Sequence, residues 1–437
     1  MSRLRVLMLG WEFPPIINGG LGVACLGLGK AMGKFVDLTF VVPKIDPDFA
    51  VENVRLVGLD NLPLDEFALV KNARELSSVA EVIEIESDLS PYVDADPSVL
   101  LRNGPATMAE DNPTPGRRSV EAFRGANLYG NDVHYKVTEF ARAAGVIASH
   151  GHYDVIHAHD WMTFPAGLEA KHITGKPLAL HVHSLSYDRA GPEGRGWVYE
   201  VEMSAMKEAD IIIPVSQYTG SIITGHYGID PSKVFPVHNG AETVETFRTR
   251  KPFPEKLVLF LGRLTFQKGP EYFLNIAAKV LEKNRNVRFV VAGTGDKLKQ
   301  LIEHGAYKDV GDRLHFTGFL NKAKVNELLS MTDVYCMPSV SEPFGLSAIE
   351  AAQYGIPAVI SKQSGVAEVL RRARKADFWD VDLMAAHILD LLADPDAREE
   401  AIRASLEDQK NCTWERAAER IVDIYDQTLH EYEPVFA

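Results

Sequence analysis

The feature that most constrains the fold is a pattern that occurs twice. Leu4-Arg5-Val6-Leu7-Met8-Leu9-Gly10 is a run of aliphatic and β-branched residues that ends on a glycine. A Gly/Pro turn follows, then an apolar-periodic stretch from Leu21 to about Phe35. Far along the chain Leu257-Val258-Leu259-Phe260-Leu261-Gly262 repeats the run, followed by a turn and a helical stretch from Glu271 to Lys283. A continuous apolar run of this length reads as a strand buried on both faces. Strand, glycine turn and helix together open a doubly wound βαβ unit. Two openings in 437 residues predict two such α/β domains, because one core rarely grows that large.

Further strands are expected at 36–42, 154–157, 177–183 and 211–215 in the first half. In the second half they are expected at 287–292, 314–316, 334–337 and 358–360. The apolar period lapses over Glu242–Glu255, which contains two prolines and reads as the seam. The expected division is 1–245, 246–410 and a closing segment 411–437. In that segment Trp414–Tyr432 forms an amphipathic helix, capped by Asn411 or Thr413, that crosses back to the first domain. Residues 62–124, rich in Asp, Pro, Ser and Gly, read as an insertion in the first domain.

Composition narrows the function classes. The formal net charge is -14, which disfavours nucleic acid and anionic membranes as partners. The three cysteines, Cys25, Cys336 and Cys412, form no CxxC pair, which argues against a disulfide scaffold and fits a cytoplasmic protein. No apolar stretch is long enough to span a bilayer, and the N-terminal apolar run reads as a first strand.

Five segments carry chemistry. Ser341-Glu342-Pro343-Phe344-Gly345-Leu346-Ser347-Ala348-Ile349-Glu350 follows a strand and opens a helix. The N–H groups at Gly345 and Leu346 then face an anion at a positive helix end. Acidic residues near a helix start also simply favour the macrodipole, which accounts for one glutamate but not for the whole set. Gly262-Arg263-Leu264-Thr265-Phe266-Gln267-Lys268-Gly269 lies at the C-terminal end of a strand, where open sheets bind ligands. Arg263 and Lys268 are cations suited to a departing diphosphate, although two solvated surface cations would look the same. Gly19 and Gly20, after Asn18, allow close approach of backbone to phosphate or sugar; the spacing is not the dinucleotide fingerprint. His157-Ala158-His159-Asp160 and His181-Val182-His183-Ser184 end two strands, on which positions two apart share a face. Four histidines invite a metal reading, but no further carboxylate or Cys pattern supports it; core histidines are the plain reading, and the sharper one aims Asp160 and His183 at a sugar. His238-Asn239-Gly240 is a turn near the seam.

Taken together these segments resemble the retaining GT-B glycosyltransferases of the glycogen/starch synthase and related nucleotide-sugar-dependent group. The resemblance implies two Rossmann-like domains facing a cleft. It implies that Arg263, Lys268 and the amides at Gly345 and Leu346 hold the diphosphate. Glu342 would lie near the donor sugar, Glu350 would hold the ribose hydroxyls, and His183, Asp160 and Asn239 would contact the sugar, with Gly19 and Gly20 beside the donor. It implies a hexose, in the first instance glucose from ADP-glucose or UDP-glucose, moved to a glucan or other carbohydrate acceptor, with no cofactor and no metal. The segment Asn127-Leu128-Tyr129-Gly130-Asn131-Asp132 looks synthase-like, whereas Ile17, where bacterial glycogen synthases carry lysine, and the presence of Glu350 do not. A small sugar-phosphate or lipid-linked acceptor, an epimerase of the same fold and a non-catalytic nucleotide-sugar-binding regulator are the alternatives.

Overall fold

The computed structural model describes residues 3–15, 19–61, 122–123, 128–130, 132–307 and 310–432. Ile17, Asn18, Asn127, Asn131 and nearly all of the expected insertion lie outside the described residues. By internal contact the chain divides into two compact units. One comprises Met1–Val182, Trp197–Ile213 and Ala418–Ala437; the other comprises His183–Gly196 and Pro214–Ala417.

The first unit is built on a six-stranded sheet in the order β3-β2-β1-β4-β5-β6. Its strands are β1 (Arg5–Leu9), β2 (Asp37–Val42), β3 (Val54–Gly58), β4 (Val155–His159), β5 (Leu178–Val182) and β6 (Ile211–Pro214). The helices α1 (Gly20–Met32), α2 (Val133–His150), α3 (Phe164–Thr174) and α5 (Trp197–Glu208) connect them. α4 (Ser186–Ala190), between α3 and α5 in sequence, belongs to the second unit. β1 pairs in parallel with both β2 and β4, so the strand order reverses between β1 and β4. β1, β4, β5 and β6 are buried almost throughout because helices cover both faces of a parallel sheet.

The second unit repeats the plan as β12-β11-β10-β7-β8-β9. Its strands are β7 (Lys256–Leu261), β8 (Val287–Ala292), β9 (Leu314–Gly318), β10 (Val334–Met337), β11 (Ala358–Ser361) and β12 (Arg374–Ala376). Its helices continue as α6 (Gln217–Gly225), α7 (Pro270–Lys283), α8 (Leu298–Tyr307), α9 (Lys322–Met331), α10 (Leu346–Gln353), α11 (Val366–Val369), α12 (Val381–Ala393) and α13 (Pro395–Gln409). The order reverses between β7 and β10, each pairing in parallel with the other. Open sheets present their ligand crevice at such a point, beyond the carboxyl ends of the strands. α14 (Trp414–Tyr432) closes the chain, its first turn capped by the Thr413 hydroxyl, which accepts the Arg416 N–H at 3.4 Å. Among the described residues, no helix is long and apolar enough to cross a membrane.

Two edge strands, β3 and β12, were not expected from the sequence. Their residues are only partly buried, so neither shows the continuous apolar run of a central strand. β5 stops at Val182, so the shared-face argument for His181 and His183 does not hold. His181 faces the core of the first unit, whereas His183 begins a segment of the second.

Candidate active site

The turn after β7 is shaped by close backbone contacts. A Cβ on Gly293 would stand 1.9 Å from the Gly262 carbonyl oxygen, and one on Gly295 would stand 2.4 Å from that of Leu264. Gly293 has φ +142°, a conformation that glycine alone adopts readily. The loop after β8 therefore lies directly on Gly262–Leu264, and the Leu264 N–H donates to the Thr294 carbonyl at 2.9 Å. Arg263 is exposed on this turn, and Lys268 ends it in a short 3₁₀ turn, Phe266–Lys268.

The turn after β10 docks against the same place. A Cβ on Gly269, at φ +64°, would meet the Pro338 carbonyl oxygen at 2.2 Å. The Gln267 carbonyl accepts the Val340 N–H at 2.9 Å. Across this junction the Lys268 ammonium stands 2.5 Å from a Glu342 carboxylate oxygen, which also accepts the Ser339 hydroxyl at 3.3 Å. Glu342 is held by its backbone as well: its N–H donates to Gln363 and its carbonyl accepts from Gly365, both at 2.9 Å.

Gly345, at φ +105°, turns the chain into α10. A side chain there would press on Val366. The first N–H groups of a helix have no partner within it, so the positive end of α10 and its open amides begin at this turn. Glu350 lies one turn further along α10 and is paired with Lys322, at the start of α9.

His183 belongs to the same unit, on the segment that leads into α4. Burial pushes its pKa down to about 3, so the imidazole is neutral at physiological pH. Asp188, on α4, is fully buried; burial raises its pKa to about 6, against hydrogen bonds that lower it. Its two oxygens accept the Leu185 N–H at 2.8 Å and the Ser341 hydroxyl at 2.5 Å. The segment carrying His183 is thus tied to the turn carrying Glu342.

Asn239 is buried, and its side-chain oxygen has no hydrogen-bond partner among the described residues. Buried amides without partners are uncommon in folded proteins and point to a missing one. Its backbone is fixed: the Cys412 thiol donates to the Asn239 carbonyl at 3.0 Å, and a Cβ on Gly240 would meet the Trp414 nitrogen at 2.1 Å. His238 donates to Glu368 at 2.6 Å. Burial would raise the Glu368 pKa, but His238 and the Gln217 and Tyr218 amides hold it below the ordinary carboxylate range.

Gly19, Gly20 and Asp160 belong to the first unit. Among the described residues, nothing lies within 4 Å of a Cβ at Gly19 or Gly20. Asp160 follows β4 at φ +59°, a left-handed conformation uncommon outside glycine and associated with functional sites. Its carbonyl accepts the Thr163 N–H at 3.0 Å and the Phe164 N–H at 3.2 Å, opening α3. His157, His159 and His181 lie together in the core beneath α14, with nitrogens close enough to hold a metal ion. His157 there bonds the Tyr425 hydroxyl on one side and His181 at 3.2 Å on the other, as satisfied core histidines do.

The second unit therefore assembles Arg263, Lys268, Glu342, Gly345, Leu346 and Glu350 around the switch point between β7 and β10, with His183 and Asn239 on segments of the same unit. Asp188, Tyr218 and Lys322 were not singled out from sequence, and Ser341 entered only as the first residue of the Ser341–Glu350 run. The one available signal was the acidic Asp188 five residues after His183, which reads equally as a solvated helix start.

The whole fold is similar to the sucrose-phosphate synthase of Thermosynechococcus elongatus, with a TM-score of 0.70 at 17% identity, covering 98% of this chain and 100% of that one. Residues 242–408 match the glycosyl transferases group 1 family, and residues 95–245 match glycosyltransferase family 4. The chain is a GT-B glycosyltransferase. Among its relatives, this glycosyltransferase is 28% identical to a D-inositol 3-phosphate glycosyltransferase of Corynebacterium diphtheriae over 80% of the chain and 82% of the relative. It is 24% identical to a glycogen synthase of Mycobacterium tuberculosis over 97% of the chain and 94% of the relative.

Proposed function

We propose that this glycosyltransferase moves a hexosyl group, in the first instance glucose, from a nucleotide-diphosphate sugar to an α-glucan with retention of configuration. The observation that carries the reading is the Lys268–Glu342 pair, set where the turns after β7 and β10 meet and beside the amino end of α10. Lys268, Arg263 and the Gly345 and Leu346 amides stabilise negative charge gathering on the departing diphosphate. Glu342 keeps the Lys268 ammonium in place and lies next to the sugar. Neutral His183 offers a hydrogen bond without adding charge, Asn239 offers its side-chain oxygen, which has no partner among the described residues, and Glu350 takes the ribose hydroxyls. Asp160, Gly19 and Gly20, on the first unit, are assigned to donor binding.

The bond from the anomeric carbon to the diphosphate oxygen breaks. The acceptor oxygen attacks from the same face, and its proton passes to the departing phosphate. In this scheme the lysine and arginine do the work of a metal. We further assign 1–245 to the acceptor side, 246–410 to the nucleotide sugar and 411–437 to a returning helix, in a cytoplasmic protein.

The glucan acceptor is supported by the glycogen synthase relative, which matches nearly the whole chain. A second reading, a small phosphorylated polyol, is favoured by the relatives named as D-inositol 3-phosphate glycosyltransferases. Radiolabelled UDP-glucose and ADP-glucose, each supplied with glycogen, maltoheptaose or D-inositol 3-phosphate, separate the two. Label in polymer is the expected result; label only on the inositol phosphate replaces the glucan by the second reading. Lys268→Ala and Arg263→Ala should lower turnover about 10²–10³-fold in folded protein. Unchanged turnover in both would remove the diphosphate assignment.

A further inference from the structure

Asp188 is a carboxyl group taken out of water, with the charge of a second carboxylate acting on it. Burial raises its pKa, the Ser341 and Leu185 hydrogen bonds and Arg189 on α4 lower it, and Glu342 on the turn after β10 adds to the rise. Tyr218, at the start of α6, lies 3.0 Å from the Ser341 hydroxyl and is itself pushed up to about 12 by burial. The single Ser341 hydroxyl proton goes to Asp188, so the Tyr218 hydroxyl donates to Ser341 in turn. Tyr218, Ser341 and Asp188 therefore form a directed chain that ends on the carboxylate. Ser341 immediately precedes Glu342, which holds Lys268. Isolated buried carboxylates are costly; this one caps α4 through the Leu185 N–H on one oxygen, and its other oxygen is taken by Ser341.

We propose that Asp188 is a positioning residue for glycosyl transfer: by accepting from Ser341 and Leu185 at once, it fixes the turn bearing Glu342 and Lys268's partner oxygen against the segment bearing His183. This rests on the nucleotide-sugar reading of the site. The ionised carboxylate accepts on both oxygens. The protonated form keeps the Leu185 bond but donates to Ser341 instead of accepting from it, so the direction of the Tyr218–Ser341–Asp188 chain is lost as pH falls through about 6. The groups facing it are Glu342 from the β10 turn, with Lys268 behind it, Tyr218 and Ser341 across it, and Arg189 on its own helix.

The test measures kcat and KM for release of nucleoside diphosphate from UDP-glucose and ADP-glucose across pH, with binding of UDP and ADP alone. Asp188→Ala is expected to lower kcat about 10²-fold, the scale of an ångström-sized misplacement, with nucleotide affinity within about threefold. Asp188→Asn keeps one bond and reverses the other, and should lose the acid limb near pH 6. Asp188→Glu should recover part of the rate. Ser341→Ala leaves Asp188 in place and should reproduce the kcat loss, so it decides the matter if Asp188→Ala does not fold. Native kcat and an unchanged acid limb in Ser341→Ala and Asp188→Asn overturn the proposal. If those variants are native-like while Lys268→Ala is inactive, only this inference falls. If Lys268→Ala is native-like, or the native chain turns over neither donor, the reading beneath it falls as well.

Discussion

Glu350 is the residue whose role depends most on what displaces what. Its carboxylate is paired with Lys322 across the space between α9 and α10, and both side chains are accessible. An exposed ion pair of this kind is worth about 1 kcal/mol or less, so ribose hydroxyls compete with it easily. Glu350→Ala is expected to weaken ADP or UDP binding while leaving the choice of sugar unchanged. Titration calorimetry with the nucleotide, beside a panel of donor sugars, checks this; altered sugar choice at constant nucleotide affinity contradicts it.

Asp188 gives a second prediction, opposite in sign to the usual carboxylate. Its folded pKa, about 6, is raised above the ordinary 3.8, mainly by burial. The folded state therefore binds the proton more tightly than the unfolded chain. Stability falls as pH rises from about 4 to about 6 and is level above that, a total of about 3 kcal/mol at most. Asp188→Asn should raise the melting temperature at pH 7.5 and leave it nearly unchanged at pH 4, even as turnover drops. An equal shift at both pH values would mean that the carboxylate's ionisation carries no such cost.

Among elements, the two glycine turns differ in kind. Gly293 sits at φ +142° with its Cα against the Gly262 carbonyl, so Gly293→Ala meets both strain and a clash. A loss of about 2 kcal/mol or more is expected, since sparsely populated backbone alone costs about 1–3. Gly19 is extended and faces open space, so Gly19→Ala should change stability by less than about 1 kcal/mol while disturbing donor turnover. Denaturant midpoints for the two variants distinguish them.

The same contrast explains what could be read from the sequence. β1 and β7 announce themselves because both faces are buried, leaving an unbroken apolar run before a glycine. The Ser341–Glu350 run is legible for a related reason: a turn between strand and helix admits few residue types. β3 and β12 are not legible, because an edge strand buries little and Arg374-Lys375-Ala376 has no apolar pattern. Asp188 could not be found locally, since the Ser341 hydroxyl that gives it meaning is 153 positions away. Reading His181 and His183 as one strand face failed because β5 ends between them.

At the scale of the molecule, one acid-sensitive ion cluster lies in the second unit. Glu255, just before β7, accepts from Arg288 at 3.0 Å and from Arg313 at 2.7 Å, and the Arg288 bond first of all holds its pKa down at about 2. A depressed carboxylate contributes stability above its unfolded pKa, near 4.5, and loses it as pH falls toward 2. Arg288→Ala should move acid unfolding, followed by far-UV circular dichroism, to higher pH. A midpoint that stays in place would show that this triad contributes nothing to acid tolerance.

The packing of Gly240 on Trp414, with Cys412 bonded to Asn239, has a consequence for anyone rebuilding the molecule. Asn239 is placed by a piece of chain 173 residues downstream, through contacts too close for any side chain to mediate. A shortened version ending at 411, or a chimera that borrows the second domain without its last turn, would keep every motif residue and still misplace that amide. The cassette to exchange between homologues is therefore not a continuous stretch: 238–241 and 412–414 have to travel together.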